Sequence, residues 1–317
     1  MSFNISAVSN LDGAAETNVT AGGFDYPIIM WTYGDPKQKK AGGMDYLGGF
    51  FAPIPEPRAE DDDESKAKIA EIAAKMAELL PAAGWEKETM IHADNTSTPG
   101  YYKRDAVISV IAMRKKWEVV EGETRQSWAW NWDNFEAAKA VGTPKTRMHI
   151  LIAVKGAEGV GPFLLTLKGI SQMYFEGTNK TPGVLSQFFR AVIVPANTLT
   201  KSQTPYRVFW MPVGAGRLED NTPDFQKMGK GTDVSYLVMP SLLGVPAKGD
   251  KALLDKLYVG DGILPMLNQM YDEAKEWAAA WDTITPGNNG GNEANGATPE
   301  PVKADPVGAV DLASLGL

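Results

Sequence analysis

Arg114-Lys115-Lys116-Trp117 is followed by Arg125 and then by Trp128-Ala129-Trp130-Asn131-Trp132. Clustered cations neutralise phosphates, and indoles stack on bases at roughly 1–3 kcal/mol per base with little sequence preference. The two residue types together are the elements of single-strand recognition. Tyr101-Tyr102-Lys103-Arg104 adds a second basic-aromatic cluster upstream, and Lys145 and Arg147 add charge downstream. The indoles of Trp128, Trp130 and Trp132 stand at alternate positions, so a strand would project all three from one face. Such a row can equally be the wall of a core, with the cations forming a solvated edge that discourages strand-to-strand aggregation. Both readings stay open.

Other chemistries find less support. The chain has no cysteine, which excludes disulfides, thiol nucleophiles and thiolate metal sites. Its two histidines, His92 and His149, are far apart in sequence and read as structural residues on strands, so a histidine-rich zinc site is not expected. A Ser/His/Asp triad is assembled in space and stays open in principle, but the Gly-x-Ser-x-Gly signature is absent. Glycines 156, 159 and 161 lead into Pro162 and an apolar strand, not a helix, so they read as a hairpin turn. Gly229-Lys230-Gly231 lacks the upstream glycine of a phosphate loop, because position 224 is Asp224. It reads as a mobile loop with Lys227 and Lys230 in reach of phosphate. The acidic run Glu60-Asp61-Asp62-Asp63-Glu64 suits a helix start, where carboxylates offset the macrodipole. No catalytic residue, metal or cofactor is expected.

Charge singles out the same segment. The net charge is −8, yet residues 101–155 hold 10 basic and 6 acidic side chains, a local balance of +4. The 100 residues before it hold 8 and 16. An acidic chain with one basic stretch is not expected to coat nucleic acid in bulk. No run reaches the roughly 18 apolar residues of a membrane span. The N-terminus lacks a basic and then apolar leader, so a cytoplasmic location is expected, in a cell or an infected host cell.

The elements that would position these residues form an α+β pattern. Residues 1–23 read as a flexible arm. Residues 24–285 read as one globular domain with a β-rich core at about 88–215 and a helical part at about 250–282. Strands are expected at Phe24–Tyr33, Met44–Phe51, Glu88–Ala93, Tyr101–Met113, Lys115–Val120, Arg125–Trp132, Arg147–Lys155, Pro162–Ile170 and Tyr206–Val213. The Lys115 and Arg125 strands face each other across a turn at Glu121-Gly122-Glu123. Ile69, Ile72, Met76 and Leu79 share a helical face, and Leu267, Met270, Tyr271, Ala274 and Trp277 share another. A short helix from Asp133 to Ala140 is expected with Asp133 as its N-cap, and another at Val184–Ile193. Residues 286–317 are rich in Gly, Asn, Pro and Ala, read as a disordered linker, and end in an apolar tip with Leu312, Leu315 and Leu317.

A basic-aromatic β-rich centre followed by a Gly/Asn/Pro-rich linker and a short tip resembles the single-stranded DNA-binding proteins of bacteria and phages. The resemblance is one of architecture and covers about half the chain. It implies an OB-like antiparallel β-barrel, here elaborated with helices, and non-enzymatic binding of single-stranded DNA in support of replication or recombination. RNA is left open as the ligand. The tip would dock replication or recombination proteins, and the chain would be capable of homo-oligomerisation. This tip departs from the acidic Pro-Phe end of that family, which suits a divergent phage or mobile-element member. Two alternatives stand beside it: a virion or assembly protein whose interfaces absorb the aromatics, and an enzyme with a dispersed carboxylate site.

Overall fold

The computed structural model describes residues 26–32, 48–57, 59, 61–91, 96–121, 124–168, 170–177, 181–219, 224–228 and 235–284. The arm at 1–23, His92, the Gly229-Lys230-Gly231 loop and the tail at 286–317 with Leu312, Leu315 and Leu317 lie outside these residues.

Two aromatic runs near the N-terminus form β1 (Ile28–Thr32) and β2 (Gly49–Pro53). Helix α1 (Asp63–Ala82) begins in the acidic run. The Asp62 carboxylate accepts the Ser65 N–H at 2.7 Å, and Asp63 and Glu64 occupy the first turn. Strands β3 (Glu86–Ile91), β4 (Ser97–Lys103), β5 (Asp105–Glu121) and β6 (Thr124–Ala129) precede helix α2 (Trp132–Val141). Strands β7 (Lys145–Val154) and β8 (Phe163–Lys168) are joined through the glycine-rich segment, tightened by a 3-10 turn at Glu158–Val160.

Helix α3 (Ile170–Glu176) leads to a longer helical stretch than expected: α4 (Val184–Phe188), a π turn (Phe189–Ile193) and α5 (Val194–Thr200). Pro195 has no N–H to give the Ala191 carbonyl, and the Val194 N–H reaches back to Phe189 O instead. The strand expected at Tyr206–Val213 is a 3-10 turn (Tyr206–Val208) and then β9 (Met211–Ala215). Strands β10 (Phe225–Met228), β11 (Ser235–Val238) and β12 (Pro240–Leu242) follow, and helices α6 (Lys251–Leu257) and α7 (Leu264–Ala279) close the described chain.

The fold is α+β, but the expected OB-like barrel is not formed. Ten strands make one open mixed sheet in the order β12-β9-β5-β7-β8-β1-β2-β4-β3, with β6 joined to β5 off this path. A barrel needs its terminal strands paired to each other; here β12 and β3 end the order unpaired with one another. The antiparallel run is also broken, because β1 lies parallel to β8. Strands β10 and β11 form a separate hairpin.

The 17-residue β5 is the spine of the sheet. One edge pairs with β7 along most of its length. The other edge pairs first with β9, over Asp105–Ile108, and then with β6, over Lys116–Glu121. The main core lies between the sheet and α1, α4–α5, α6 and α7, and includes Ile108, Ile150, Leu165, Phe188, Val213, Leu254 and Leu267. A separate small core of Val119, Trp128 and Ala138 sits where α2 covers the β5–β6 hairpin.

Candidate nucleic-acid interface

The β5–β6 hairpin forms as the sequence suggests, but its second arm is shorter. Strand β6 stops at Ala129, three residues before the expected end at Trp132. Asn131 is the cause. Its backbone is extended, its side chain accepts the Asn134 N–H at 2.8 Å, and α2 starts at the next residue. The N-cap is therefore Asn131, not the expected Asp133. The alternation that would have placed three indoles on one face ends after the first of them.

The three rings consequently divide. Trp128 pairs across the hairpin with Trp117 and is only 2% exposed, packed with Val119 and Ala138. It is a core residue and presents no face to solvent. Trp130 is 40% exposed and Trp132 71% exposed. Trp130 stacks on Trp117 with centroids 3.9 Å apart and planes 27° from parallel. Phe135 lies 4.8 Å from Trp117 and 5.2 Å from Trp132. The Trp117 Nε1–H donates to the Asn131 carbonyl at 3.1 Å and fixes the ring. The result is a ledge of four aromatic rings ordered Trp130, Trp117, Phe135, Trp132. The Lys115 ammonium caps the Trp130 end, 3.5 Å from the ring centroid.

The four-residue run Arg114-Lys115-Lys116-Trp117 is split by strand alternation. Lys115 and Trp117 point to the ledge, whereas Arg114 and Lys116 point to the opposite face, under the end of α7. There the Arg114 guanidinium lies between Trp277 and Trp281, 4.1 and 4.3 Å from their centroids, and donates to Trp277 O at 3.1 Å. Lys116 is 3% exposed, its ammonium 4.6 Å from the Trp281 ring. These two cations, expected to meet phosphates, are built into the contact between sheet and helix. The cause is the two-residue period of the strand.

Arg147, Arg125 and Lys145 share the Lys116 face nearer the hairpin tip. The buried Glu118 carboxylate binds Arg147 at 2.7 Å and stands 3.6 Å from the half-exposed Arg125. Lys145, opposite Glu118 in register, is exposed. His149 pairs with Arg114 in register, and its Nδ1 lies 3.4 Å from the Arg114 Nη2. Burial first, and then Arg114, Arg147 and Lys116, hold its pKa well below the usual histidine value. It is a neutral structural residue, in keeping with its mid-strand position.

The upstream cluster is not part of the ledge. Arg104 and Lys115 are separated by eleven residues of extended chain, about 35 Å at strand rise. Tyr101 is 4% exposed. The Tyr102 hydroxyl donates to Gly48 O at 2.8 Å, and burial pushes its pKa up to about 12. The Lys103 ammonium donates to Ala83 O at the end of α1. Arg104 is partly buried at the bend between β4 and β5.

Residues that the sequence reading did not select complete the site. Phe135 lies three residues after Trp132, the spacing that brings helical side chains together. Glu176, at the end of α3, holds the Lys115 ammonium at 2.5 Å. Gln172 donates to the Glu176 Oε2 at 3.0 Å and accepts from the Thr146 hydroxyl at 2.7 Å. Trp277 near the end of α7 and Trp281 in the turn just after it stand four apart, a spacing visible in the sequence; their cationic partner is visible only in the fold.

Compared with known protein families, curated proteins and solved structures, the chain matches none. Among the described residues, no three His, Cys, Asp or Glu side chains cluster as a metal site, and no helix is long and apolar enough to cross a membrane.

Proposed function

We propose that this chain binds single-stranded nucleic acid, with DNA as the first candidate, by stacking bases on the Trp130–Trp117–Phe135–Trp132 ledge. The observation that carries the reading is Trp132. A 71% exposed indole resting on Phe135, with the partly exposed Trp130 at the other end of the row, is an apolar surface held open at a fixed place. A strand crossing this ledge and passing over the β6 edge meets Arg125, Lys145 and Arg147 on the far side of the hairpin. Rings contribute affinity with little sequence preference, and the cations follow the phosphates. The role is non-enzymatic and serves replication or recombination, with the Leu312, Leu315 and Leu317 tip as the segment that docks protein partners.

The test is a fluorescence titration with oligo-dT at low salt, followed by a salt series. Stacking on the ledge quenches tryptophan emission. Neutralisation by Arg125, Lys145 and Arg147, the cations not held by Glu176, gives a log–log salt slope of up to about −2, at roughly −0.7 per phosphate for a single strand. An unchanged emission and no retardation of the oligonucleotide at low salt would overturn the proposal.

A second reading, an assembly protein, draws on Met113. This residue is 37% exposed on the ledge side of β5 and extends the apolar surface. Solution mass separates the two, since large assemblies formed without oligonucleotide favour the second reading.

A further inference from the structure

Resting on the reading of the ledge as a stacking site, we propose that Glu176 is a built-in competitor for the nucleic-acid phosphate, and that binding exchanges its carboxylate for a phosphate at Lys115. The Lys115 ammonium has two neighbours that matter. It lies 3.5 Å from the centroid of Trp130, on the face turned away from Trp117, and 2.5 Å from Glu176 Oε1. Trp130 thus has one face on Trp117 and the other under Lys115. A base reaches that second face only when the ammonium moves aside.

Glu176 is placed to hold the ammonium where it is. Its other carboxylate oxygen accepts from Gln172, which is tied to Thr146 on β7. The carboxylate is therefore oriented from both α3 and the sheet before any ligand arrives. The Lys115 side chain is 15% exposed and that of Glu176 39% exposed, so the acid reaches solvent more freely than the lysine it covers. A carboxylate offers an ammonium the same kind of anionic oxygen as a phosphodiester. An incoming phosphate at this point competes for Lys115, draws it off Trp130 and frees Glu176. The freed carboxylate then takes up a counterion, which offsets part of the counterion release that favours binding. In the free protein the aromatic row is accordingly open at Trp132 and closed at Trp130.

Glu176→Gln keeps the shape and the Gln172 contact but removes the competing charge. At low salt it tightens oligo-dT binding by about 5-fold, the scale of one partly exposed ion pair, and steepens the salt slope by up to about 0.7. In a Lys115→Gln background the same change has no effect, because the two residues act as one unit. Glu136→Gln on α2 makes the same change in net charge away from Lys115 and serves as the control. Tightening and steepening by Glu176→Gln alone, lost with Lys115→Gln, supports the proposal. If the native chain binds and Glu176→Gln leaves affinity and slope unchanged, or Glu136→Gln tightens binding equally, the competitor role is overturned and the stacking site stands. If neither protein binds, both fall.

Discussion

Trp128 and Trp132 are four residues apart and chemically identical, so replacing each with alanine separates folding from binding. Trp132 is 71% exposed and thus buries less than a third of its surface. Taking an indole side chain as about 250 Å², that is roughly 70 Å², worth at most about 2 kcal/mol at 25 cal/mol per Å². Trp128 is 2% exposed, and its removal leaves a cavity beneath α2. Buried aromatic-to-alanine changes cost about 3–5 kcal/mol. Urea unfolding therefore ranks Trp128→Ala well below Trp132→Ala in stability. Oligo-dT anisotropy at low salt ranks them the other way. Trp132→Ala loses one stacking ring, about 1–3 kcal/mol, or roughly 5- to 150-fold in affinity. Trp132→Phe restores most of that loss, and Trp128→Phe, which leaves a smaller cavity, binds as the native chain does while unfolding at lower urea. The stacking site is refuted if Trp132→Ala binds oligo-dT with native affinity. The division into core ring and open ring is refuted if the two alanine variants are equally stable.

Three further perturbations test the surrounding fold. His149 has a depressed pKa when folded, so the unfolded chain takes up its proton first as pH falls below about 6.5. Its contribution to stability is flat above that pH and becomes unfavourable below it by up to about 1.4 kcal/mol per pH unit, until the folded pKa is reached. Urea midpoints of native and His149→Gln proteins between pH 7.5 and 5 should diverge, and parallel curves would refute the assignment. Arg114→Met keeps the packing of the stem but loses the cation between Trp277 and Trp281. It should cost about 1–3 kcal/mol in urea unfolding and raise the His149 pKa in an NMR titration; an unmoved His149 would refute the electrostatic coupling. Gly249→Ala places a Cβ 1.9 Å from Ala191 O, the carbonyl left without its helical donor by Pro195. A loss of at least about 2 kcal/mol is expected on the scale of overpacked sites, and an unchanged urea midpoint would show that the contact relaxes freely.

Local signals in the sequence located the hairpin, α1 with its acidic start, the turn at 156–161 and the stripe of α7. Each depends on near neighbours in the chain, so periodicity and turn residues suffice. Barrel closure does not. Whether β12 meets β3 depends on how ten strands are ordered, and the parallel pairing of β1 with β8, the one such pairing among the described residues, spans more than 130 residues of chain. Nothing in a run of β-branched residues records its partner. The same limit applies to Glu176, which reaches Lys115 from 61 residues away through the placement of α3.

The cations were locally legible in a way that the density of positive charge obscured. Period-two alternation, applied to the indoles, applies equally to Arg114-Lys115-Lys116-Trp117. It assigns Lys115 and Trp117 to one face and Arg114 and Lys116 to the other, so a run of three cations can supply at most two to either face. For the indoles the alternation fails where the strand ends, and one residue ends it. Asn131 caps α2 with its side chain and accepts the Trp117 Nε1–H with its carbonyl. Had β6 continued through Trp132, Trp130 and Trp132 would project from the same face as Trp128, the ring buried in the small core. By turning the chain from strand to helix between Trp130 and Trp132, Asn131 leaves Trp128 inside and carries the other two outward. The carbonyl of that same residue anchors Trp117, the ring on which Trp130 rests. Strand termination, helix capping and the making of an exposed aromatic surface are thus one event in this chain.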